Sequence, residues 1–350
     1  MRSELNTRSD LRKMLAIGAI ASISGVALAL LIDWFPPQAS EEAKAIDTLW
    51  DVLLIVSVPI FVLVQTIVLY SVWRFRMRPG EEDDDGPPIH GNTRLEVVWT
   101  AIPAIILVAL CSYAYVVLRD IESADADRPD MKVRVVGEQF TWTFHYAAEG
   151  GGKPVVSNQL YLPLGRGVKF DVQSKDVLHD FWVPAFRQKI DAVPGITTGF
   201  RITTRRAGTF PVICAELCGL GHSVMRQSAH VVPQAEFDKW LAEKRGGGAA
   251  GGGGGGEAAA PDGKAIFTGD GGCSACHTLA DASSTATTGP NLDEVLKGKD
   301  AESVKTSITD PGAEIAKGFQ DGIMPSNFDE TLQPEQIDAL TDYLVEVAGK

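Results

Sequence analysis

Cys214-Ala-Glu-Leu-Cys218-Gly-Leu-Gly-His222-Ser-Val-Met225 sets two thiols, an imidazole and a thioether within twelve residues. Soft sulfur together with imidazole is a donor set that favours copper. A mononuclear blue-copper site uses one cysteine, two histidines and a weak axial methionine, so the second cysteine sets this loop apart; two thiolates can bridge two copper ions. The same cysteines could instead form a disulfide or half of a zinc site. Zinc would ask for a second cysteine pair or a His-x3-5-His element. A disulfide would leave His222 and Met225 without a role.

A second group lies further on. Cys273-Ser-Ala-Cys276-His277 has the Cys-x-x-Cys-His spacing that attaches a c-type haem. Each thiol adds to a vinyl group and His277 becomes the proximal ligand, whereas a redox dithiol would not need the histidine. Beyond residue 262 the chain has one methionine, Met324, and no histidine besides His277. Met324 is therefore the candidate for the opposite face of the iron, and His–Met ligation raises the haem potential.

These groups need elements to hold them. Between residues 130 and 232, short runs rich in β-branched and aromatic residues alternate with Gly and Pro: Lys132–Val136, Gln139–Tyr146, Gln159–Leu162, Val168–Val172, Thr197–Thr203 and Thr209–Ile213. That pattern predicts a Greek-key β-sandwich over about 121–245. Gly246 to Gly256 holds nine glycines in eleven residues. Residues 246–261 read as a flexible tether with a root-mean-square span of about 20–24 Å. The haem domain then occupies 262–350, where Ile337, Leu340, Leu344 and Val347 recur at helical spacing and predict a C-terminal helix on a small core.

Ahead of all this the chain is apolar. Val52–Trp73 and Val97–Leu118 each run 22 positions without a charge, long enough to cross a hydrocarbon core of about 30 Å. They predict a transmembrane hairpin over 46–120. Met14–Ile32, within residues 1–45, is either a signal peptide or a further helix. Arg2, Arg8, Arg12 and Lys13 precede the first run, and Arg74, Arg76 and Arg78 follow the second. Both basic clusters belong on the cytoplasmic side, which puts everything after Arg119 outside. The acidic run Glu81–Asp85 reads as a solvated loop, and Cys111 as a small apolar residue. The net charge of −13 argues against nucleic acid as a partner. Within it, residues 262–350 hold 16 acids against 6 bases, and residues 119–245 hold 15 against 17.

Cys-x-x-x-Cys-x-x-x-His-x-x-Met resembles the binuclear copper A motif of cytochrome c oxidase subunit II, and Val177-Leu-His179-Asp-Phe-Trp-Val-Pro184 resembles the family's upstream ligand strand. The resemblance implies a cupredoxin-like barrel and assigns one copper each to His179 and His222. Cys214 and Cys218 would bridge them, Met225 would ligate one ion and the Glu216 carbonyl the other. It also implies that the Glu216 side chain reaches a magnesium or manganese ion shared with subunit I. Asp191-Ala-Val-Pro-Gly195 resembles a loop facing subunit I. Glu96-Val-Val-Trp-Thr-Ala-Ile-Pro103 resembles the start of the second family helix, where the glutamate marks the mouth of the K proton pathway. An acid at a helix start also suits the positive end of the dipole.

The run Gln139-Phe140-Thr-Trp142 departs from the family's Gln-Trp-x-Trp. Phe140 takes the usual electron-accepting tryptophan position while Trp142 remains, which bears on docking of a free, soluble cytochrome c. Met324-Pro325 and Gly289-Pro-Asn-Leu292 resemble the distal segment and the haem-covering loop of class I cytochromes c. The whole resembles subunit II of a bacterial haem–copper oxidase with a fused all-α cytochrome c domain. It implies an aa3-type cytochrome-c oxidase in the cell membrane, with both redox domains on the extracytoplasmic face. Electrons would run from a donor such as the cytochrome bc complex through haem c and copper A to haem a of subunit I, beside subunit III, for proton-pumping reduction of dioxygen to water. A free-standing membrane carrier is the alternative. A nitrous-oxide reductase would need more than the six histidines present, and a quinol oxidase subunit would lack these copper ligands.

Overall fold

The computed structural model describes residues 7–77, 79–80, 90–123, 129–148, 154–245 and 261–348. Arg2, Arg78, the acidic run Glu81–Asp85 and residues 246–260 of the expected tether lie outside these residues. The chain divides into two compact units, 1–36 with 44–123, and 37–43 with 124–350.

Among the described residues, the first unit is three long helices: α1 (Thr7–Leu31), α2 (Ala43–Phe75) and α3 (Thr93–Ile121). All three are long and apolar enough to cross a membrane. Their large apolar side chains face outward, with Ile23, Phe61 and Val108 all exposed, a surface that suits lipid rather than water. Pro59 and Pro103 lie inside α2 and α3. α1 packs antiparallel to α2 through small residues: a Cβ on Gly25 would meet Val58 at 2.9 Å, and one on Gly18 would meet Thr66 at 3.8 Å. Trp34 and Phe35 then fold edge-on to Trp50, with ring centroids 5.9 and 5.4 Å away. The start of α3 is capped reciprocally. Asn92 Oδ1 accepts from the Leu95 amide, and Glu96 Oε1 accepts from the Asn92 amide, both at 3.1 Å.

Among the described residues, the second unit opens with a β-sandwich of ten strands: β1 (Met131–Glu138), β2 (Thr141–Tyr146), β3 (Val155–Ser157), β4 (Leu160–Pro163), β5 (Gly167–Ser174), β6 (His179–Trp182), β7 (Lys189–Ala192), β8 (Thr198–Thr203), β9 (Gly208–Cys214) and β10 (Arg226–Val232). They form two five-stranded sheets, ordered β3-β2-β1-β5-β8 and β4-β10-β9-β6-β7. β1–β5 and β4–β10 are parallel and the other pairs antiparallel. Inward positions supply a fully buried core that includes Val133, Val135, Trp142, Phe144, Phe170, Phe181 and Ile202. Helix α4 (Gln234–Lys244) closes one end by stacking Trp240 on Tyr161, centroids 4.4 Å apart.

Six strands coincide with the runs read from the sequence; β3, β6, β7 and β10 were not read from alternation. Residues 37–43 were not expected here either. Ser40 bridges to Thr204, and the Glu42 carboxylate accepts from the Thr203 amide and pairs with Arg201, which also holds Asp130.

The C-terminal part comprises α5 (Gly263–Thr268), a two-residue hairpin of β11 (Thr278–Leu279) with β12 (Ser284–Thr285), α6 (Leu292–Val295), α7 (Ala301–Thr309), α8 (Phe328–Thr331) and α9 (Pro334–Ala348). The small hairpin is an addition to the expected all-α fold. Ile337, Leu340 and Leu344 of α9 are buried with Ile266 and Phe267 of α5, while Val347 only flanks the cluster. A Cβ on Gly263 would strike Ala339 O and Tyr343 Cβ, so the close α5–α9 crossing needs glycine there.

Candidate metal and haem centres

The copper-type loop leaves the end of β9, and β6 runs beside it. Cα pairing of Phe181 with Cys214 puts His179 next to the loop. The loop returns into β10 through a 3-10 turn at His222–Val224, and the Cys214 amide donates to the Met225 carbonyl at 3.2 Å, closing it. The two sulfurs then lie 3.8 Å apart. His179 Nδ1 is 3.9 Å from Cys214 Sγ, and His222 Nδ1 is 3.6 Å from Cys218 Sγ. Met225 Sδ is 3.8 Å from Cys218 Sγ, and the Glu216 carbonyl is 3.2 Å from Cys214 Sγ. All six expected ligands therefore converge. His179, Cys214 and Cys218 alone form a buried cluster able to hold a metal ion.

The hydrogen-bond partner behind His179 was not read from the sequence. His179 Nε2 lies 2.8 Å from Asp176 Oδ1. A carboxylate only accepts, so Nε2 carries the proton and Nδ1 is left to face the sulfurs. Asp176 also accepts from the Gln139 amide at 2.7 Å and from the Val177 amide at 2.6 Å. Burial alone would raise its carboxyl, but hydrogen bonds from His179 and these amides outweigh it and hold the carboxyl below its usual range. For His179, burial works downward and is outweighed by Cys214 and Asp176, so its pKa is raised. Gly137 makes room for the stack behind: a Cβ there would meet both His179 and Trp142 at 3.0 Å. Trp142 is fully buried, edge-on to His179 at 5.8 Å.

The thiols are held at unequal acidity. Burial raises Cys214, but hydrogen bonding to His179 and backbone amides brings it down to about 7. Burial, followed by the charge of Cys214, pushes Cys218 up to about 12. Two adjacent thiolates need cationic charge between them, and this soft, sulfur-rich donor set fits a copper pair.

Phe140 is buried against the loop. A Cβ on Gly219 would meet its ring at 3.1 Å and one on Gly221 would enter it. Gln139 Nε2 donates to the Cys218 carbonyl at 2.6 Å. Asp191 and Glu216 are exposed, with Asp191 opposite Asp180 in the β6–β7 ladder. Asp180 is fully buried and paired with Lys189; burial raises its pKa, Lys189 opposes this, and the charges of Asp191 and Glu216 add to the rise. His145 lies against Arg134 and His230 stacks on Tyr161, both away from the loop.

In the C-terminal domain Cys273, Cys276, His277 and Met324 line one cavity of about 680 Å³ together with Phe267 and Leu340. His277 Nδ1 donates to the Pro290 carbonyl at 3.0 Å. That carbonyl cannot donate, so the proton sits on Nδ1 and Nε2 is free as a ligand. Burial lowers His277 and raises both cysteines, Cys273 to about 12. A Cβ on Gly289 would meet the His277 ring at 2.6 Å, which explains the glycine in that loop. A neutral imidazole, two thiols on one wall and an apolar cavity of this size fit a covalent haem.

The periplasmic domain of cytochrome c oxidase subunit II matches residues 152–232, its transmembrane domain residues 27–117, and cytochrome c residues 260–348. The chain is 33% identical over 281 residues to cytochrome c oxidase subunit 2 of Thermostichus vulcanus, spanning 63% of this chain and 84% of that protein. This chain belongs to the cytochrome c oxidase subunit II family. It is also 34% identical over 312 residues to cytochrome c oxidase subunit 2 of Alkalihalophilus pseudofirmus, spanning 83% of this chain and 85% of that one. The periplasmic domain of subunit II from Bradyrhizobium japonicum aligns at 28% identity over 35% of this chain and 98% of its own, with a TM-score of 0.32. As a subunit II that carries a cytochrome c domain, the chain serves electron transfer in a membrane-bound haem–copper oxidase, in association with other oxidase subunits.

Proposed function

We propose that the chain is the electron-receiving subunit of an aa3-type cytochrome-c oxidase in the cell membrane, with its haem and copper domains on the extracytoplasmic face. Its electrons would come from a donor such as the cytochrome bc complex and leave to haem a of subunit I, where dioxygen is reduced to water with proton pumping. The observation that carries this is the pair of sulfurs 3.8 Å apart, flanked by two imidazole nitrogens and a thioether. When bound, copper A and haem c each supply a one-electron couple.

The protein's part is to hold them still. Cys214, Cys218, His179, His222, Met225 and the Glu216 carbonyl would bind the copper pair, with Asp176 orienting His179. Cys273 and Cys276 would anchor the haem, and His277 and Met324 would ligate it. The buried sandwich core keeps ligand positions fixed between oxidation states, which limits reorganisation. Phe140 borders the loop at Gly219 and Gly221, and Trp142 lies edge-on to His179. Glu216 would share magnesium or manganese with subunit I, near Asp191. Glu96, whose carboxylate closes the α3 cap, would stand at the mouth of a proton pathway.

Purification from native membranes tests the assignment. A many-helix haem protein, subunit I with subunit III, is expected to co-purify, and Cys218→Ser is expected to lower oxygen consumption with reduced donor by more than a hundredfold. Purification of the wild-type chain alone, with no oxidase partner, would contradict it.

A further inference from the structure

The haem cavity is not walled by the cytochrome domain alone. Gln139, Phe140, Thr141, Val224, Arg226 and Gln227 of the sandwich line it too. Polar contacts clamp both rims. On the Cys273 side, Lys244 Nζ pairs with Asp270 at 2.7 Å and Gln159 Nε2 donates to the Gly269 carbonyl at 3.3 Å. On the Met324 side, Lys175 Nζ stands 3.7 Å from Glu330, and Ile323 packs against the sandwich core. The Lys244–Asp270 pair is largely withdrawn from water, at 10% and 27% exposure. Lys175–Glu330 is open to solvent and adds little.

From the wall of this cavity to the copper loop is one residue. Phe140 touches the cavity on one side and lies against Gly219 and Gly221 on the other, and Gln139 donates to the Cys218 carbonyl. We propose that Lys244 and Asp270 latch the cytochrome domain onto its own copper domain, seating the haem crevice on Gln139 and Phe140, so that this face of the copper loop is occupied in cis. The proposal rests on the functional reading above and adds the seat of the haem domain and its lock. A free cytochrome would reach this face only after the latch opens. The charge balance agrees, since the acidic domain (16 acids, 6 bases) meets a slightly basic one (15 acids, 17 bases).

The test treats the full metal-loaded chain in detergent with a water-soluble carbodiimide, which joins contacting carboxylates and amines, followed by peptide mapping. In parallel, haem-to-copper electron transfer is timed after flash reduction. A Lys244–Asp270 junction is expected as a major within-chain product. Asp270→Lys is expected to abolish it and slow the transfer at least tenfold. Combining Asp270→Lys with Lys244→Asp is expected to restore both the junction and most of the rate. Wild-type protein without the junction, or an exchanged pair as slow as Asp270→Lys alone, would overturn the latch. Copper and haem spectra are read on the same samples. If the metals are absent but the junction forms, the functional reading fails and the latch stands; if the metals are present without the junction, the reverse holds.

Discussion

His179 presents Nδ1 to the sulfurs because Asp176 holds the other side of its ring. Removing such an outer partner costs about 10–100-fold in metal affinity. Asp176→Asn is therefore expected to weaken copper binding by that factor in competition titrations, with both sulfurs still coordinated; unchanged affinity would contradict the role. Proton release gives a second residue-scale check. With Cys214 lowered and Cys218 raised from the ordinary thiol range, the metal-free site still carries thiol protons that a metal pair must displace. Lowering the pH protonates Cys214 further, and His179 too because its pKa is raised, so proton release on metal binding should climb as the pH falls below neutral and shrink as it rises. A pH indicator recorded during copper addition reads this, and a flat response would count against it. The ligands were legible because five of the six lie in one loop. Asp176 was not, because its role depends on a turn that also binds the Gln139 amide, 37 residues away.

At the scale of elements, the loop and β2 are fitted to each other through glycine. Gly221→Ala would drive a methyl group into the Phe140 ring and should cost about 1–3 kcal/mol of sandwich stability. Because Phe140→Ala empties that space, the double variant should be more stable than the sum of the singles by about 1 kcal/mol or more in denaturant unfolding. Strict additivity would mean the contact is not made. α1 is expected to stay in the mature protein, since Gly25 and the Trp34–Trp50 contact fit it to α2; intact-mass analysis from native membranes would show residues 1–31, and their loss would refute this. Alternation revealed β1 and β5, where one face is exposed. It missed β6, whose His179, Asp180 and Phe181 are all buried, and β10, which opens on the polar residues Arg226, Gln227 and Ser228. Residues 37–43 were illegible because their partners, Thr203 and Thr204, are some 160 positions away.

For the whole molecule, the apolar runs and basic clusters predict the orientation before any tertiary contact is known. Gly80→Cys should react with an impermeant thiol reagent only after lysis, and Ser303→Cys in intact cells or spheroplasts; the opposite pattern would invert the topology. The opposed charge of the two domains predicts that the acidic cytochrome domain docks on the copper domain, but the residues of its seat could not be read in advance, since Lys244, Asp270 and Gln159 acquire meaning only once three folded elements meet. The assignment as a whole stands or falls on the sulfur-bridged pair. The direct measurement is copper and haem content of the chain purified from native membranes, with the paramagnetic resonance spectrum of the oxidised form. Two coppers and one haem per chain are expected, with the unpaired electron split by both copper nuclei. Zinc, or a single copper with a blue mononuclear spectrum, would contradict it.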